Sequence, residues 1–373
     1  MKYVDEFRDG EAARGLAAAI AAEVEPGRDY YLMEFCGGHT HAIFRYGLPE
    51  LLPGNVHMIH GPGCPVCVLP VGRVDMAVEL ARRPEVILCT YGDLLRVPGS
   101  RRRSLQTAKS EGADVRMVYS AADSLQVARD NPDREVVFFA IGFETTTPPT
   151  AVVIQQAAAE GLANFSVVCN HVLTPSAMRA ILEAEDAAPR IEGFVGPSHV
   201  STIIGSAPYA DFAAEYAKPV VIAGFEPLDV LAAIRMLVTQ VNAGRAEVEN
   251  EYTRAVTPEG NTKAQGLVEA VLETREAFEW RGLGSVPRSA LQIRSEYAAF
   301  DAERRFGLAD SRPRENAACI CPSVLRGAAR PTECTLFGTT CTPDNPIGSC
   351  MVSSEGACAA YYAYGAEREA VAG

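Results

Sequence analysis

Residues 135–150 read Glu-Val-Val-Phe-Phe-Ala-Ile-Gly-Phe-Glu-Thr-Thr-Thr-Pro-Pro-Thr, an apolar run that stops at Gly142 and gives way to a hydroxyl- and proline-rich turn. A short continuous apolar run bounded by such a turn reads as a strand over Val136–Ile141, buried on both faces. Outward from it, comparable β-rich runs end at Gly, Pro or polar clusters: Tyr30–Phe35, Val56–Ile59, Val86–Thr90, Val115–Tyr119, Phe165–Cys169, Ile191–Val195 and Val220–Ala223. Helical patterns separate them, so the expected fold class is α/β with parallel sheets. VFFAIGFE (137–144) echoes VVIAGFE (220–226), and HGPGC (60–64) echoes VGPSH (195–199), which points to two related α/β halves facing a cleft. In open α/β sheets ligands bind beyond the carboxyl ends of the strands, so the GFE turns belong to that cleft.

A composition change near residues 281–318 separates this α/β region from a tail in which six of the eleven cysteines fall between Cys319 and Cys358. The expected division is therefore 1–132 for a first α/β domain, 133–280 for a second, and 281–373 for a small cysteine-rich domain. The 373 residues are too many for one ordinary core. With 48% hydrophobic and 22% charged residues the chain is globular rather than disordered. A net charge of −13, with Arg101–Arg103 as the tight basic run, argues against nucleic-acid binding. Every apolar stretch is too short or too interrupted by charge to span a bilayer, and the first residues lack the form of a secretory signal, so a cytoplasmic chain is expected. Cysteines in that setting point to metal, redox or catalytic thiols rather than to a disulfide framework.

Three thiol sets carry the chemistry. Cys36 closes the first apolar run in Glu-Phe-Cys-Gly-Gly-His-Thr-His (34–41), with His39 and His41 just beyond. Thiolate and imidazole together suit iron or zinc, and the glycines let backbone approach a ligand. Cys64-Pro-Val-Cys67 follows the second run at a strand-to-helix turn, which suits thiol redox chemistry or half of a zinc site. In the tail, Cys334, Cys341, Cys350 and Cys358 are spaced by Gly- and Pro-rich turns, unlike a zinc finger or a bacterial ferredoxin run. Four such thiolates can converge on a [4Fe–4S] cluster, with Cys319 and Cys321 a redox-active pair beside it, or with Cys321 a ligand and one of the last four a spare. Glu144, after Gly142-Phe143, is a candidate base or hydrogen-bond acceptor, while the threonines beside it can cap a helix. His171 and His199 sit at strand ends where either can line the cleft or serve the fold, and Cys89 and Cys169 lie inside strands as core.

Taken together, EFCGGHTH (34–41), GPGCPVC (61–67), GFETT (142–146), GPSHVS (196–201) and CTLFGTTCTPDNPIGSCMVSSEGAC (334–358) resemble the HypD family of [NiFe]-hydrogenase maturation factors, in the same order along nearly the whole chain. The resemblance implies two Rossmann-like domains and a [4Fe–4S] domain. It further implies a scaffold on which the Fe(CN)2CO group of the hydrogenase is assembled, working with a HypC-type small chaperone and a HypE-type cyanide-donating protein. On that basis Cys36 is the expected iron ligand, Cys64 and Cys67 the redox pair, and His39 and Glu144 cleft residues. Cys334, Cys341, Cys350 and Cys358 are the expected cluster ligands. Ser198 stands where the family pattern GPGHVS has glycine. A free-standing thiol–disulfide oxidoreductase resembling ferredoxin:thioredoxin reductase is the alternative, and it leaves Cys36 and His39 without a task.

Overall fold

The computed structural model describes residues 5–184 and 191–365. All eight expected strands form: β1 (Tyr30–Glu34), β2 (Val56–His60), β3 (Val86–Thr90), β4 (Val115–Met117), β5 (Glu135–Gly142), β6 (Phe165–His171), β7 (Gly193–Gly196) and β8 (Val220–Ile222). A short ninth, β9 (Val248–Asn250), extends the last of them. They build two parallel sheets, one ordered β2-β1-β7-β8-β9 and the other β4-β3-β5-β6. β3 is buried at every position and β5 at all but its first, as expected of strands covered by helices on both faces.

The sheets do not divide at residue 132. β1 and β2 leave the first sheet to a long excursion that builds the whole second sheet, and the chain returns at β7 to pair with β1, Leu32 opposite Gly193. The first lobe is thus discontinuous, and the expected 1–132 and 133–280 split cuts through the second sheet between β4 and β5. Pairing of strands distant in sequence is set by crossover packing, which a run of apolar residues does not encode. The boundary at 281 also falls inside an element, because β11 (Ala277–Trp280) pairs with β12 (Gly284–Pro287) across it. Alongside, β10 (Leu272–Thr274) pairs with β13 (Leu291–Ile293), and Val271, Leu272, Leu291 and Ile293 join the core of the second sheet.

Helix ends follow local chemistry. Asp9 caps the helix Gly10–Glu23 through the Ala12 N–H, and Ser120 with Asp123 forms a capping box on Ala121–Asp130. Gly47 and Gly161 end their helices at φ 65° and 68°, the left-handed conformation that glycine enters without cost from a Cβ. The cysteine-rich tail has little regular structure: the short helices Cys321–Leu325 and Ala357–Tyr364, linked by turns. Among the described residues no helix is long and apolar enough to cross a membrane.

Candidate functional site

In each sheet the strand order reverses at one place, between β1 and β7 in the first and between β3 and β5 in the second. Such a reversal opens a crevice at the carboxyl ends, because the crossovers on its two sides run in opposite directions. Both crevices face one cavity of about 410 Å³. From the first sheet come Cys36 after β1, Gly63 after β2 and His199 after β7; from the second come Tyr91 and Asp93 after β3, and Phe143 and Thr146 after β5. Glu355, from the tail, closes one side.

Cys36 is the residue immediately before the helix Gly37–Tyr46, in extended conformation and only 6% exposed. Burial, reinforced by the Glu355 and Glu34 carboxylates, pushes its thiol up to about 12. A bound cation would reverse that balance, since a metal-ligating thiol is held deprotonated. The backbone around Cys36 is tightly packed: a Cβ on Gly63 would lie 2.6 Å from the Cys36 Cα, and the Gly37 N–H donates to Gly63 O at 3.1 Å. Glycine at 37 leaves room for Glu355, and glycine at 38 for the Phe225 ring.

Glu34, which sequence reading did not single out, fixes this turn. Its buried carboxylate accepts the Cys36 N–H at 2.9 Å, the Thr40 hydroxyl, and His60 Nδ1 at 2.8 Å. Glu34 lay within a quoted motif, but its partner His60 sits on the neighbouring strand and in register with it. Glu355 was also missed, because only the folded tail brings it beside Cys36.

His39 and Glu144 are near the cavity but do not line it. His39 is fully buried, with Nε2 at 3.1 and 3.0 Å from the Ala223 and Gly224 carbonyls and 3.4 Å from Ser198 Oγ. Burial lowers its pKa, so the ring is neutral, with Nε2–H donating to the carbonyls and Nδ1 without a partner among the described residues. Ser198, in place of glycine, is accommodated fully buried against this ring. Glu144 accepts the Thr174 N–H at 2.8 Å and the Thr174 hydroxyl at 3.0 Å, so it ties β5 to the helix Thr174–Glu183; burial raises its pKa to about 7. His171 is a fold residue, its Nε2 2.8 Å from Thr150 Oγ1. His41 meets Tyr364 edge-on and does not line the cavity, whereas His199 does. Cys89 and Cys169 are core thiols, as expected from their strands.

Cys64 and Cys67 form a disulfide across the first turn of the helix Pro65–Val68, with Cα atoms 5.2 Å apart. The pair stands between the cavity and the tail. Pro65 and Val66 line the cavity, while the Cys67 carbonyl accepts from Ser349 Oγ at 2.9 Å and a Cβ on Gly356 would lie 3.0 Å from Cys67 Sγ. Gly356 packs in the same way on the Cys350 carbonyl.

The six tail cysteines come together. Cys319, Cys321, Cys334, Cys341 and Cys358 line one small cavity with Phe337 and Met351, and Cys350 joins through its N–H, 3.4 Å from Cys321 Sγ. Thiol hydrogen bonds from Cys321 and Cys350 lower the pKa of Cys358 against the effect of its burial. A Cβ on Gly348 would lie 2.6 Å from Cys319 Sγ and 2.9 Å from Cys321 Sγ, so this glycine is required by close approach of the thiols. Among the described residues no three His, Cys, Asp or Glu side chains close on a single ion. Several thiols bordering one apolar pocket are a set of soft donors of the kind that suits a polynuclear iron–sulfur centre.

The HypD family model, described as "Hydrogenase formation hypA family", matches residues 11–365. The chain is 69% identical to the hydrogenase expression/formation protein HupD of Azotobacter chroococcum over 99% of its own length and 98% of that protein's. It is 67% identical to the hydrogenase maturation factor HypD of Azotobacter vinelandii, over 100% and 99% of the two chains. With the HypD of Escherichia coli K12 it shares 47% identity over 98% of each. On that full-length similarity, the conclusion is that the chain belongs to the HypD family of hydrogenase maturation factors.

Proposed function

We propose that this chain is the scaffold on which the iron of a [NiFe]-hydrogenase acquires its cyanide and carbonyl ligands, with Cys36 holding that iron as cargo. The observation that carries the reading is the convergence of both strand-order reversals on Cys36. A soft thiolate at such a crevice, roofed by apolar Phe35, Ile141 and Phe143, suits iron bound by strong-field carbon ligands and shielded from water. Loading requires Cys36 to lose its proton, and Glu355 beside it must then share the site with a cation rather than with a bare thiolate.

Cys64 and Cys67 act as a two-electron store adjoining the cargo. Opening the S–S bond takes up two electrons, one from each of two reduced molecules of an external one-electron carrier protein, with two protons from water, and leaves two thiols; closing it returns the electrons to two oxidised carriers and the protons to water. Cys334, Cys341, Cys350 and Cys358 are the proposed ligands of a [4Fe–4S] cluster, with Cys319 and Cys321 in its immediate surroundings. When bound, the cluster supplies one-electron transfer. His39 and Glu144 are positioning residues, the first holding the β8 turn against the Cys36 helix and the second holding the β5 turn.

The partners are a HypC-type small chaperone and a HypE-type cyanide donor, both reaching the cargo through the mouth of the cavity, where Tyr119 is 88% exposed and Met117 46%. The experiment is anaerobic co-purification with such a chaperone, followed by iron analysis. Wild type carries iron beyond the content of its cluster, whereas Cys36→Ala keeps the cluster and loses the excess. Equal iron in both overturns the assignment of Cys36.

A further inference from the structure

Arg101, Arg102 and Arg103 form the tight basic run of a chain whose net charge is −13, and all three are exposed. Arg101 and Arg102 both stand in the left-handed region, at φ 55° and 61°. Glycine enters that region freely and arginine does not, so a turn that served only to reverse the chain would be met more easily by glycine. The turn is held nonetheless: the Gly99 N–H donates to Arg103 O at 2.7 Å, and the Ser100 N–H to the Asp75 carboxylate at 2.7 Å. Backbone strain of this kind gathers at functional positions, and what it keeps on the surface here is positive charge. The Arg101 and Arg103 side chains have no ion-pair or hydrogen-bond partner among the described residues. By contrast Arg82, Arg116, Arg129 and Arg134, on the elements before and after them, each face a carboxylate.

The run is seated on the cysteine-rich tail. Arg102 Nη2 donates to Asn345 Oδ1, and Arg96, exposed on the preceding turn, donates to Pro343 O at 3.1 Å and to Val352 O at 2.8 Å. Pro343 is two residues from Cys341 and Val352 two from Cys350, so each acceptor lies within about 7 Å of a tail cysteine along the chain. The Asn345 N–H closes the turn on Thr342 O at 3.0 Å, and beyond it the Ile347 N–H meets Cys341 Sγ at 3.3 Å. Asp344, exposed in the same turn, pairs with none of the four arginines among the described residues. Four exposed guanidinium groups thus border a turn that starts directly after a thiol of the tail pocket.

We propose that Arg96, Arg101, Arg102 and Arg103 form the docking surface for a small acidic one-electron carrier protein, which meets the tail over the turn 342–345. The inference deepens the proposed function by giving its external carrier a place to bind, and it rests on the reading of the tail as an iron–sulfur site. Charge complementarity selects the partner. A chain of net charge −13 repels an acidic protein as a whole and attracts it most strongly where arginines cluster. Redox proteins meet through small, short-lived contacts, for which four guanidinium groups on one turn suffice. Arg101 and Arg103, having no partners of their own, break no ion pair when the carrier's carboxylates arrive. Each docking passes one electron from the reduced carrier to the tail centre and releases the carrier oxidised. Two dockings supply the two electrons that open the Cys64–Cys67 disulfide, with two protons from water.

The test is stopped-flow oxidation of a reduced, strongly acidic [2Fe–2S] ferredoxin by the full-length protein, purified anaerobically with its cluster. Reduced methyl viologen, a small cation, is the comparison donor that needs no docking surface. At about 20 mM salt, Arg101→Glu combined with Arg103→Glu lowers the second-order rate constant for ferredoxin about tenfold or more; at about 500 mM salt the gap from wild type closes to about threefold or less, because steering is screened. Arg101→Lys combined with Arg103→Lys keeps the wild-type rate, and methyl viologen reduces all three proteins alike. Equal ferredoxin rates in wild type and the charge-reversed variant at low salt overturn the proposal. So does a charge-reversed variant that loses the small chaperone on co-purification while its ferredoxin rate is kept, since the arginines then hold a different partner. If charge reversal prevents folding, Arg101→Gln combined with Arg103→Gln takes its place, and an undiminished rate at low salt overturns the proposal. A wild type that takes no electron from methyl viologen overturns the reading of the tail itself, which is a different failure.

Discussion

The Glu34 carboxylate accepts the backbone N–H of Cys36 at 2.9 Å, and through its other oxygen it holds His60 of the neighbouring strand at 2.8 Å. The turn that presents the Cys36 thiol is therefore set by a buried acid two residues earlier, not by the glycines alone. Glu34→Ala leaves the Cys36 N–H and the Thr40 hydroxyl without their acceptor. A loss of roughly 1–3 kcal/mol in unfolding free energy is expected for a buried polar group stripped of its partner. Urea denaturation measures it, and an unchanged midpoint contradicts this account of the turn.

Gly63 supports the same turn from the β2 side, with room for no side chain because a Cβ would lie 2.6 Å from the Cys36 backbone. Gly63→Ala must displace Cys36, at a cost of about 1–3 kcal/mol typical of overpacking. The Cys64–Cys67 disulfide, on the other side of residue 63, still forms. Thiol counting on the unfolded variant, together with iron loading of the folded one, separates the two effects: disulfide retained and cargo iron lost is the predicted pair of results.

Glu144 gives a pH signature. Its pKa in the folded chain is raised by burial to about 7, above the ordinary value of 4.5. The folded state thus binds the proton more tightly than the unfolded state does. The resulting stability is fully present below about pH 4.5 and is lost as pH rises through 7, by on the order of 3 kcal/mol at most. Glu144→Gln keeps an acceptor for the Thr174 N–H and removes the titration. The variant should gain on wild type between pH 5 and pH 8, measured as the difference in chemical unfolding across that range. Parallel curves for the two proteins would show that Glu144 does not titrate there.

Gly348 is predicted to be the least replaceable glycine of the tail. Alanine there would press on Cys319 Sγ at 2.6 Å and Cys321 Sγ at 2.9 Å. Gly348→Ala should lose most of the visible iron–sulfur absorbance after anaerobic reconstitution, while its far-ultraviolet circular dichroism stays near wild type, since both parallel sheets lie outside the tail. Full absorbance would mean that Cys319 and Cys321 do not border the cluster.

The strands were legible because each is a short apolar run ended by Gly, Pro or a polar cluster, and Val136–Ile141 lies wholly within β5. What could not be read was membership. β1 and β7 are more than 150 residues apart, and nothing in Leu32 or Gly193 announces their pairing. Of the two GFE turns expected at the cleft, the first lines it through Gly142 and Phe143, whereas the second packs its Phe225 behind it on His39 and His199; the domain limits at 132 and 280 followed chain order and missed the excursion. Proximity was legible where one motif holds the residues, as with Cys36 at the end of β1 or the Cys64–Cys67 pair. Contacts were not legible where partners meet through the fold: Glu34 with His60, Glu355 with Cys36. Glu144 was read as a base or a hydrogen-bond acceptor; the structure shows the acceptor, but its partner, Thr174, lies thirty residues later and could not be named from the motif.

The central claim is that Cys36 carries an iron with cyanide and carbonyl ligands where the two sheets reverse. An infrared spectrum in the cyanide and carbonyl stretching region tests it most directly, recorded on the protein purified anaerobically with its small chaperone, for wild type beside Cys36→Ala. Bands in wild type that vanish in the variant, with chaperone and cluster still bound, are the predicted result. Bands of equal strength in both, or none in a wild-type complex that retains chaperone and cluster, would contradict the claim.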